Sequence, residues 1–160
     1  MLAGKTGSLI ATAAQFGALF AGVDAATTEV LRRLGEEIGV AFQLSDDILD
    51  IASESVTSGK TPGTDLREGV ATLPVLYSLA SADPSAPATR LRALVSGPIE
   101  TDTDVAEALT LLRESEGMNQ ARATLGAYAD RARALLADLP DVPARAALAA
   151  LIDLTVTRSA

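Results

Sequence analysis

Three aspartates lie close together in one stretch of the sequence: Asp46, Asp47 and Asp50. On an α-helix, with about 100° between successive residues, their carboxylates fall within one narrow stripe. No Lys or Arg stands three or four positions from any of them, so their mutual repulsion is not offset along the helix. A bound divalent cation would relieve this repulsion, and ligands that offer only oxygen suit Mg²⁺. The spacing therefore predicts a Mg²⁺ site, with a solvated acidic face as the alternative.

The helix that carries these aspartates has an unusual distribution of polar residues. Over residues 34–51, the side chains around the rest of its circumference are apolar, with only Glu37 and Ser45 as exceptions. A surface helix shows the reverse ratio, so this helix is expected to be buried. Burying three unpaired carboxylates would be costly or would force their protonation. We therefore expect the acidic stripe to face a cavity.

Two lysines, Lys5 and Lys60, each follow a glycine and precede a threonine. Neither belongs to a P-loop, because Glu54 stands where the motif before Lys60 needs a glycine and no strand is predicted before either lysine. The aspartates do not form an EF-hand, because the apolar Ile48 takes a ligand position. Lysine together with Mg²⁺ and carboxylates is suited to hold a diphosphate. A plain surface position is the alternative for each lysine.

The composition narrows the class of protein. The 160 residues include 13 Lys and Arg against 21 Asp and Glu, a net charge of −8, and contain neither Cys nor His. These absences exclude a disulfide scaffold, a zinc or haem site, a Cys nucleophile and a Ser-His-Asp triad. The acidic balance, without any basic run, argues against nucleic-acid binding. The apolar run at residues 9–22 is too short and too polar for a transmembrane helix, so we expect a cytoplasmic protein without a transmembrane segment.

Helical periodicity recurs along the chain and no segment alternates as a strand does, which predicts an all-α helical bundle. Leu148, Leu151 and Thr155 recur at helical spacing and are predicted to lie in its core. Asp24 is a predicted N-cap. A loop at 53–70, long enough to be functional, and a linker at 81–87 lie within one domain of residues 1–160. The predicted helices span residues 5–21, 26–52, 71–80, 88–95, 104–115, 118–139 and 144–158.

Three linked motifs resemble those of one enzyme family. They read Lys5-Thr6, then Gly35 and Gly39-x-Ala41-Phe42-Gln43-x-x-Asp46-Asp47-x-x-Asp50, then Gly59-Lys60-x-x-Gly63-x-Asp65-Leu66-x-Glu68-Gly69-x-x-Thr72-Leu73-Pro74. In order and spacing, this pattern is similar to that of the trans-isoprenyl diphosphate synthases, or polyprenyl synthetases. The resemblance covers nearly the whole chain but only the C-terminal half of the family. It implies an all-α fold with helices around a deep central cavity, usually in a dimer.

The resemblance also implies how the charged residues act. Asp46, Asp47 and Asp50 match the second aspartate-rich motif, which binds Mg²⁺ that bridges to the allylic diphosphate. Lys5 and Lys60 match lysines that grip this diphosphate. In such an arrangement Mg²⁺ and the lysines stabilise the charge that develops on the leaving diphosphate.

The implied catalytic residues are Lys5, Thr6 and Gln43, of which Thr6 and Gln43 match residues along the path of the carbocation. The implied reaction ionises an allylic diphosphate and lets the double bond of isopentenyl diphosphate attack the resulting cation. Loss of a proton completes it. The two substrates implied as partners are therefore an allylic diphosphate and isopentenyl diphosphate.

Two features depart from the family pattern. The first aspartate-rich motif of the family is not found in these 160 residues, and Val70 stands where the loop motif usually has Lys. We therefore expect the chain to be inactive alone and to associate as a homo-oligomer, with an N-terminal half, or with an intact synthase. A non-catalytic regulatory subunit of an intact synthase is the alternative function. A terpene cyclase shares an acidic helix but not the pattern over residues 59–74.

Overall fold

The structure, a computed structural model, describes residues 6–53 and 61–158. Within these residues all regular secondary structure is helical, as the sequence predicts. None of the described helices combines the length and the apolar character needed to cross a membrane. The helices are α1 (Thr6–Ala21), α2 (Ala25–Ala52), α3 (Thr64–Glu68), α4 (Leu73–Ala80), α5 (Ala86–Leu94), α6 (Asp102–Arg113), α7 (Glu116–Leu136) and α8 (Pro143–Thr157).

The chain divides into two compact units. The first comprises Met1–Ser45 and Thr124–Ala160, and the second comprises Asp46–Ala123. The division falls within two of the helices, so that α2 and α7 each contribute residues to both units. The prediction that residues 1–160 form one domain stays a prediction.

In the first unit, small residues bring α1 and α2 to close range. A Cβ atom added to Gly39 of α2 would lie 2.7 Å from the Cα of Gly7 in α1. A Cβ atom added to Gly35 would lie 2.9 Å from the Cα of Ala11. Because Gly35 and Gly39 are four residues apart, they lie on the same face of α2. This face therefore accepts the backbone of α1 only because it has no side chains there.

The core of the first unit is formed by α2, α7 and α8. Glu37 and Ser45, the two polar interruptions in the apolar arc of α2, are each met by an arginine. Arg131 Nε donates to Glu37 Oε2 at 2.9 Å, and Arg158 Nε donates to Ser45 Oγ, also at 2.9 Å. These contacts satisfy polar groups on a helix that is otherwise buried in apolar surroundings. The buried residues of this core are Leu34, Ile38, Ala129, Ala132, Leu135, Leu136, Leu139 and Ile152.

In the second unit, the short helix α3 lies inside the segment at 53–70 for which the sequence predicts a loop. Five residues are too few to show a helical period, which is why the pattern did not indicate this helix. Gly63 precedes it with φ of +80°, in the left-handed region that favours glycine. A Cβ atom at Gly63 would also lie 2.8 Å from Cγ1 of Val105. The positive φ and the lack of space for a side chain both require glycine at position 63, at the start of α3.

The remaining predicted helices are present, with boundaries shifted by a few residues. The helix predicted from residue 104 begins at Asp102, because the hydroxyl of Thr101 caps it by accepting a hydrogen bond from the Asp104 amide at 3.1 Å. The predicted linker at 81–87 contains the first residues of α5. In α8, the core prediction is confirmed for Thr155, which is 3% exposed, but is wrong for Leu151, which is 46% exposed.

Candidate functional site

The three predicted metal ligands lie near the C-terminal end of α2, in the second unit. Asp46 and Asp50 are half-buried, and Asp47 is buried, with 6% of its surface exposed. Ile48 and Ile51, on the apolar side of the same helix segment, are almost completely buried. This end of α2 is thus held in an apolar environment, as the sequence predicts, while its aspartates lie at or just below the surface.

The carboxylate of Asp50 holds the start of α3. Its Oδ1 accepts a hydrogen bond from the Thr64 amide and its Oδ2 accepts one from the Asp65 amide, each at 3.3 Å. The backbone carbonyl of Asp50 accepts a third bond, from the Gly63 amide at 3.0 Å. The N-cap of α3 is Gly63, which has no side chain to cap the helix. Asp50 therefore supplies, from α2, the acceptors that the first amides of α3 lack.

Arg113 of α6 binds the C-terminal end of α2. Its Nε donates to the carbonyl of Ile51 at 2.8 Å and its terminal nitrogen donates to the carbonyl of Ser53 at 3.3 Å. The last carbonyls of a helix have no partner within the helix, and a cation at that end is favourable. Arg113 could not be identified from the sequence, because it lies 62 positions from Ile51 and no local spacing signals the contact.

Thr6 and Gln43, two of the predicted catalytic residues, meet in the first unit. The hydroxyl of Thr6, at the start of α1, donates a hydrogen bond to Oε1 of Gln43 in α2 at 3.1 Å. Gln43 lies one turn beyond Gly39, where the two helices pack most closely. The close packing of α1 on α2 thus fixes which side chains of the two helices can touch.

The remaining predicted site residues are Lys5 and Lys60, and both lie outside the described residues. Val70, at the position where the family motif usually has Lys, lies just after α3 and is 47% exposed. Its amide donates to the carbonyl of Asp65 at 2.8 Å. The backbone at this position is therefore fixed by a contact that does not depend on the side chain.

The donor chemistry at the end of α2 fits a hard divalent cation, because Asp46, Asp47 and Asp50 offer only carboxylate oxygens. Across residues 6–53 and 61–158, no group of three or more Asp, Glu, His or Cys side chains is gathered closely enough to hold a metal ion. Mg²⁺ does not need such a group, since it is usually bound by one or two carboxylates together with phosphate oxygens and water. The aspartates are therefore suited to a Mg²⁺ ion that is shared with a phosphorylated ligand.

Comparison with known proteins identifies the family. A family profile described as polyprenyl synthetase matches residues 1–112, a stretch that includes every predicted site residue. The chain belongs to the polyprenyl synthetase family, as its three linked motifs predict.

Individual relatives agree with this assignment. The nonaprenyl diphosphate synthase of Mycobacterium tuberculosis is 56% identical over 154 residues, which are 96% of this chain and 45% of that protein. The heptaprenyl diphosphate synthase component 2 of Geobacillus stearothermophilus is 35% identical over 147 residues, 90% of this chain and 43% of that protein. Both matches therefore leave more than half of the relative uncovered.

The fold is likewise that of a solved family member. The crystal structure of geranylgeranyl pyrophosphate synthase from Corynebacterium glutamicum, complexed with calcium and isoprenyl diphosphate, matches with a TM-score of 0.90 and 43% identity. The match covers 99% of this chain and 48% of that one. The all-α fold predicted from the sequence is thus the helical fold of these synthases.

Proposed function

We propose that this chain supplies the second aspartate-rich motif and the diphosphate-binding loop of a trans-polyprenyl diphosphate synthase. The reaction is the Mg²⁺-dependent condensation of isopentenyl diphosphate with an allylic diphosphate. The observation that carries the proposal is the juxtaposition of Asp50 with the start of α3, since it ties the loop motif to the aspartate motif. The calcium and isoprenyl diphosphate bound to the Corynebacterium relative support it, because they are a divalent cation and a diphosphate.

In this proposal the charged residues bind the diphosphate end of the allylic substrate. Asp46, Asp47 and Asp50 hold Mg²⁺, which when bound supplies positive charge to the departing diphosphate. Lys5 and Lys60 donate hydrogen bonds to diphosphate oxygens, and such charge-assisted bonds are short and strong. Cationic donors bound to these oxygens stabilise the diphosphate more strongly as negative charge develops on it, so they favour the transition state over the bound substrate.

The polar pair of the first unit acts on the organic cation. When the allylic C–O bond breaks, the electron pair leaves with diphosphate and positive charge remains on carbon. The oxygens of Thr6 and Gln43 carry partial negative charge, and their mutual hydrogen bond restricts both side chains. Fixed dipoles of this kind stabilise a cation without forming a bond to it. The double bond of isopentenyl diphosphate then forms the new C–C bond, and a proton leaves to restore neutrality.

A second candidate function is that of a non-catalytic partner which binds and modulates an intact synthase. It is favoured by the Geobacillus relative, which is named as one component of its enzyme. Retention of all three aspartates and of Lys60 favours the first function. In both cases the chain associates with another family polypeptide or with a second copy of itself.

A reconstitution experiment tests the proposal. We expect the purified 160-residue chain to show no condensation of isopentenyl diphosphate with farnesyl or geranylgeranyl diphosphate, because one acidic motif stabilises the leaving diphosphate from one side only. Adding the N-terminal part of the Mycobacterium nonaprenyl diphosphate synthase, which this chain does not cover, is expected to give activity.

The control for this reconstitution is the same mixture with Asp46→Asn in the 160-residue chain, which should be inactive. Activity that is independent of Asp46 would contradict the proposal. A second mixture combines the 160-residue chain with an intact synthase. If the wild-type chain and Asp46→Asn increase the activity of that synthase equally, the partner function is favoured instead.

A further inference from the structure

The helix α1 packs on α2 with one face and leaves a large apolar face uncovered on the other side. Three large side chains of that face are open to solvent: Leu9 is 66% exposed, Phe16 54% and Phe20 91%. With about 100° between successive residues, these three and the exposed Ala13 fall within a stripe about 60° wide, opposite the face that packs on α2. Positions 9, 13, 16 and 20 have the spacing of a helix face that packs along another element.

The uncovered face of α1 is large enough for a protein partner. Leu9, Phe16 and Phe20 together expose on the order of 400 Å² of surface. The largest apolar patch of a monomeric protein has about this size and often has a binding function. Pairing two such faces removes on the order of 800 Å² from water through these side chains alone. The residues around them bring the buried area toward the ~1,200 Å² at which specific protein interfaces begin.

The distribution of charge favours a second copy of the chain as this partner. The chain carries a net charge of −8, so two copies repel each other through most of their surface. None of the 16 residues of α1 is charged. Two copies of this helix can therefore approach each other without bringing like charges together.

The order of large and small side chains makes the uncovered face complementary to itself. When two copies of one helix pair antiparallel about a twofold axis, positions whose numbers add up to the same value face each other. With the axis midway along the stripe, Ala13 of each copy faces Phe16 of the other, and Leu9 faces Phe20. Each central ring thus meets a methyl group instead of a second ring, and large and small side chains interdigitate.

We infer that the uncovered face of α1, formed by Leu9, Ala13, Phe16 and Phe20, is the surface through which two copies of this chain pair, antiparallel about a twofold axis. The inference rests on the proposed function only for the premise that the chain associates. The pairing itself needs neither metal nor diphosphate, because it joins apolar side chains.

Sedimentation equilibrium of the purified 160-residue chain, without metal or diphosphate, tests the pairing. The wild type should form dimers at micromolar concentration. Phe16→Ala leaves a gap opposite Ala13, and Ala13→Phe places two rings opposite each other, so each should raise the dimer dissociation constant on the order of tenfold or more. The double variant Ala13→Phe with Phe16→Ala again sets one ring against one methyl group at each contact. It should therefore dimerise more tightly than either single variant.

Leu154→Ser is the matched control, because it replaces a leucine of α8 that is 62% exposed. It should leave the dimer dissociation constant unchanged, and a loss of dimer equal to that in Phe16→Ala would overturn the inference. Circular dichroism checks that every variant folds. If Ala13→Phe does not fold, Phe20→Glu, which places a charge in the same face, should give monomers in its stead.

A wild type that stays monomeric at every concentration would overturn the inference, and so would a double variant that dimerises no more tightly than the single ones. If the monomeric wild type binds the N-terminal part of the Mycobacterium nonaprenyl diphosphate synthase and Phe16→Ala abolishes that complex, the face belongs to this other partner and the inference is wrong. A dimer that does not bind Mg²⁺ with inorganic diphosphate would count against the proposed function and leave the pairing valid.

Discussion

The hydroxyl of Thr6 donates a hydrogen bond to Gln43 across 3.1 Å, one turn of α2 beyond the point where Gly39 meets Gly7. The contact between two polar side chains thus depends on a neighbouring contact between two residues without side chains. In the sequence, Gly39 and Gln43 appear as separate elements of one motif. In the structure the two residues depend on each other. Gly39 lets α1 approach α2 closely, and this approach brings Thr6 within hydrogen-bonding distance of Gln43.

This dependence predicts opposite effects for two Gly→Ala substitutions. Gly39→Ala should destabilise the chain by about 1–3 kcal/mol, because the new methyl group would overlap the backbone of α1. Gly17→Ala, on α1 with open space around it, should stabilise the chain by about 0.5–1 kcal/mol, since alanine favours a helix over glycine. Urea unfolding measures both. Similar effects of the two substitutions would show that α1 does not pack on Gly39.

The cap of α2 predicts a dependence of stability on pH. Hydrogen bonds from the amide and then the hydroxyl of Thr27 lower the pKa of Asp24 below its usual value of 3.8. A carboxyl whose pKa is lowered by folding stabilises the protein above its unfolded pKa, and this contribution is lost as the pH falls through the folded pKa. The Tm of the wild type should therefore exceed that of Asp24→Ala at pH 6, and the difference should shrink toward pH 3.

Thermal unfolding of both proteins between pH 3 and pH 7 checks this prediction. Asp24→Asn provides the control, because it retains a capping oxygen but cannot ionise. Its advantage over Asp24→Ala should not vary with pH. A constant difference in Tm between wild type and Asp24→Ala over the whole range would contradict an ionised cap.

Lys5 and Lys60 are the only lysines in the sequence, and both fall in motifs of the family. Replacing Lys60 by alanine should weaken the binding of diphosphate with Mg²⁺ by on the order of tenfold or more, the usual effect of removing a charged hydrogen-bond donor. The Tm without ligand should stay unchanged. Arg122→Ala, which removes an exposed cation from α7, is the matched control and should leave binding unaltered. A fall in the ligand-free Tm for Lys60→Ala alone would mean that this lysine is structural.

The parts of the fold that could be predicted are those that repeat along the chain. The apolar arc of α2 recurs over about five turns, from residue 34 to residue 51, so the burial of this part and even its two polar exceptions could be identified from the sequence. By contrast, α3 is shorter than two turns and has no period to detect. Leu151 was misplaced for a related reason: an apolar residue at helical spacing indicates one face of α8 but not whether another element covers it.

The candidate site divides in the same way. The aspartates are close in sequence, so their common face on α2 follows from helix geometry alone. The contacts of Asp50 with residues 64 and 65 and those of Arg113 with α2 link positions that are far apart in the chain. Such contacts depend on where the backbone between the two positions turns. Gly63 indicates a turn before α3, but the sequence does not indicate that this turn brings the start of α3 to Asp50.

Thermal unfolding of the 160-residue chain tests most directly whether the end of α2 binds a diphosphate through Mg²⁺. At a ligand concentration about 100-fold above Kd, a ligand that binds only the folded state stabilises it by about 2.7 kcal/mol, which should raise Tm by about 5 °C or more. We expect this rise with Mg²⁺ and inorganic diphosphate together and little change with either alone. It should disappear in Asp46→Asn and persist in Asp138→Asn, which alters an exposed aspartate after α7. An equal rise in both variants, or none in the wild type, would contradict such binding.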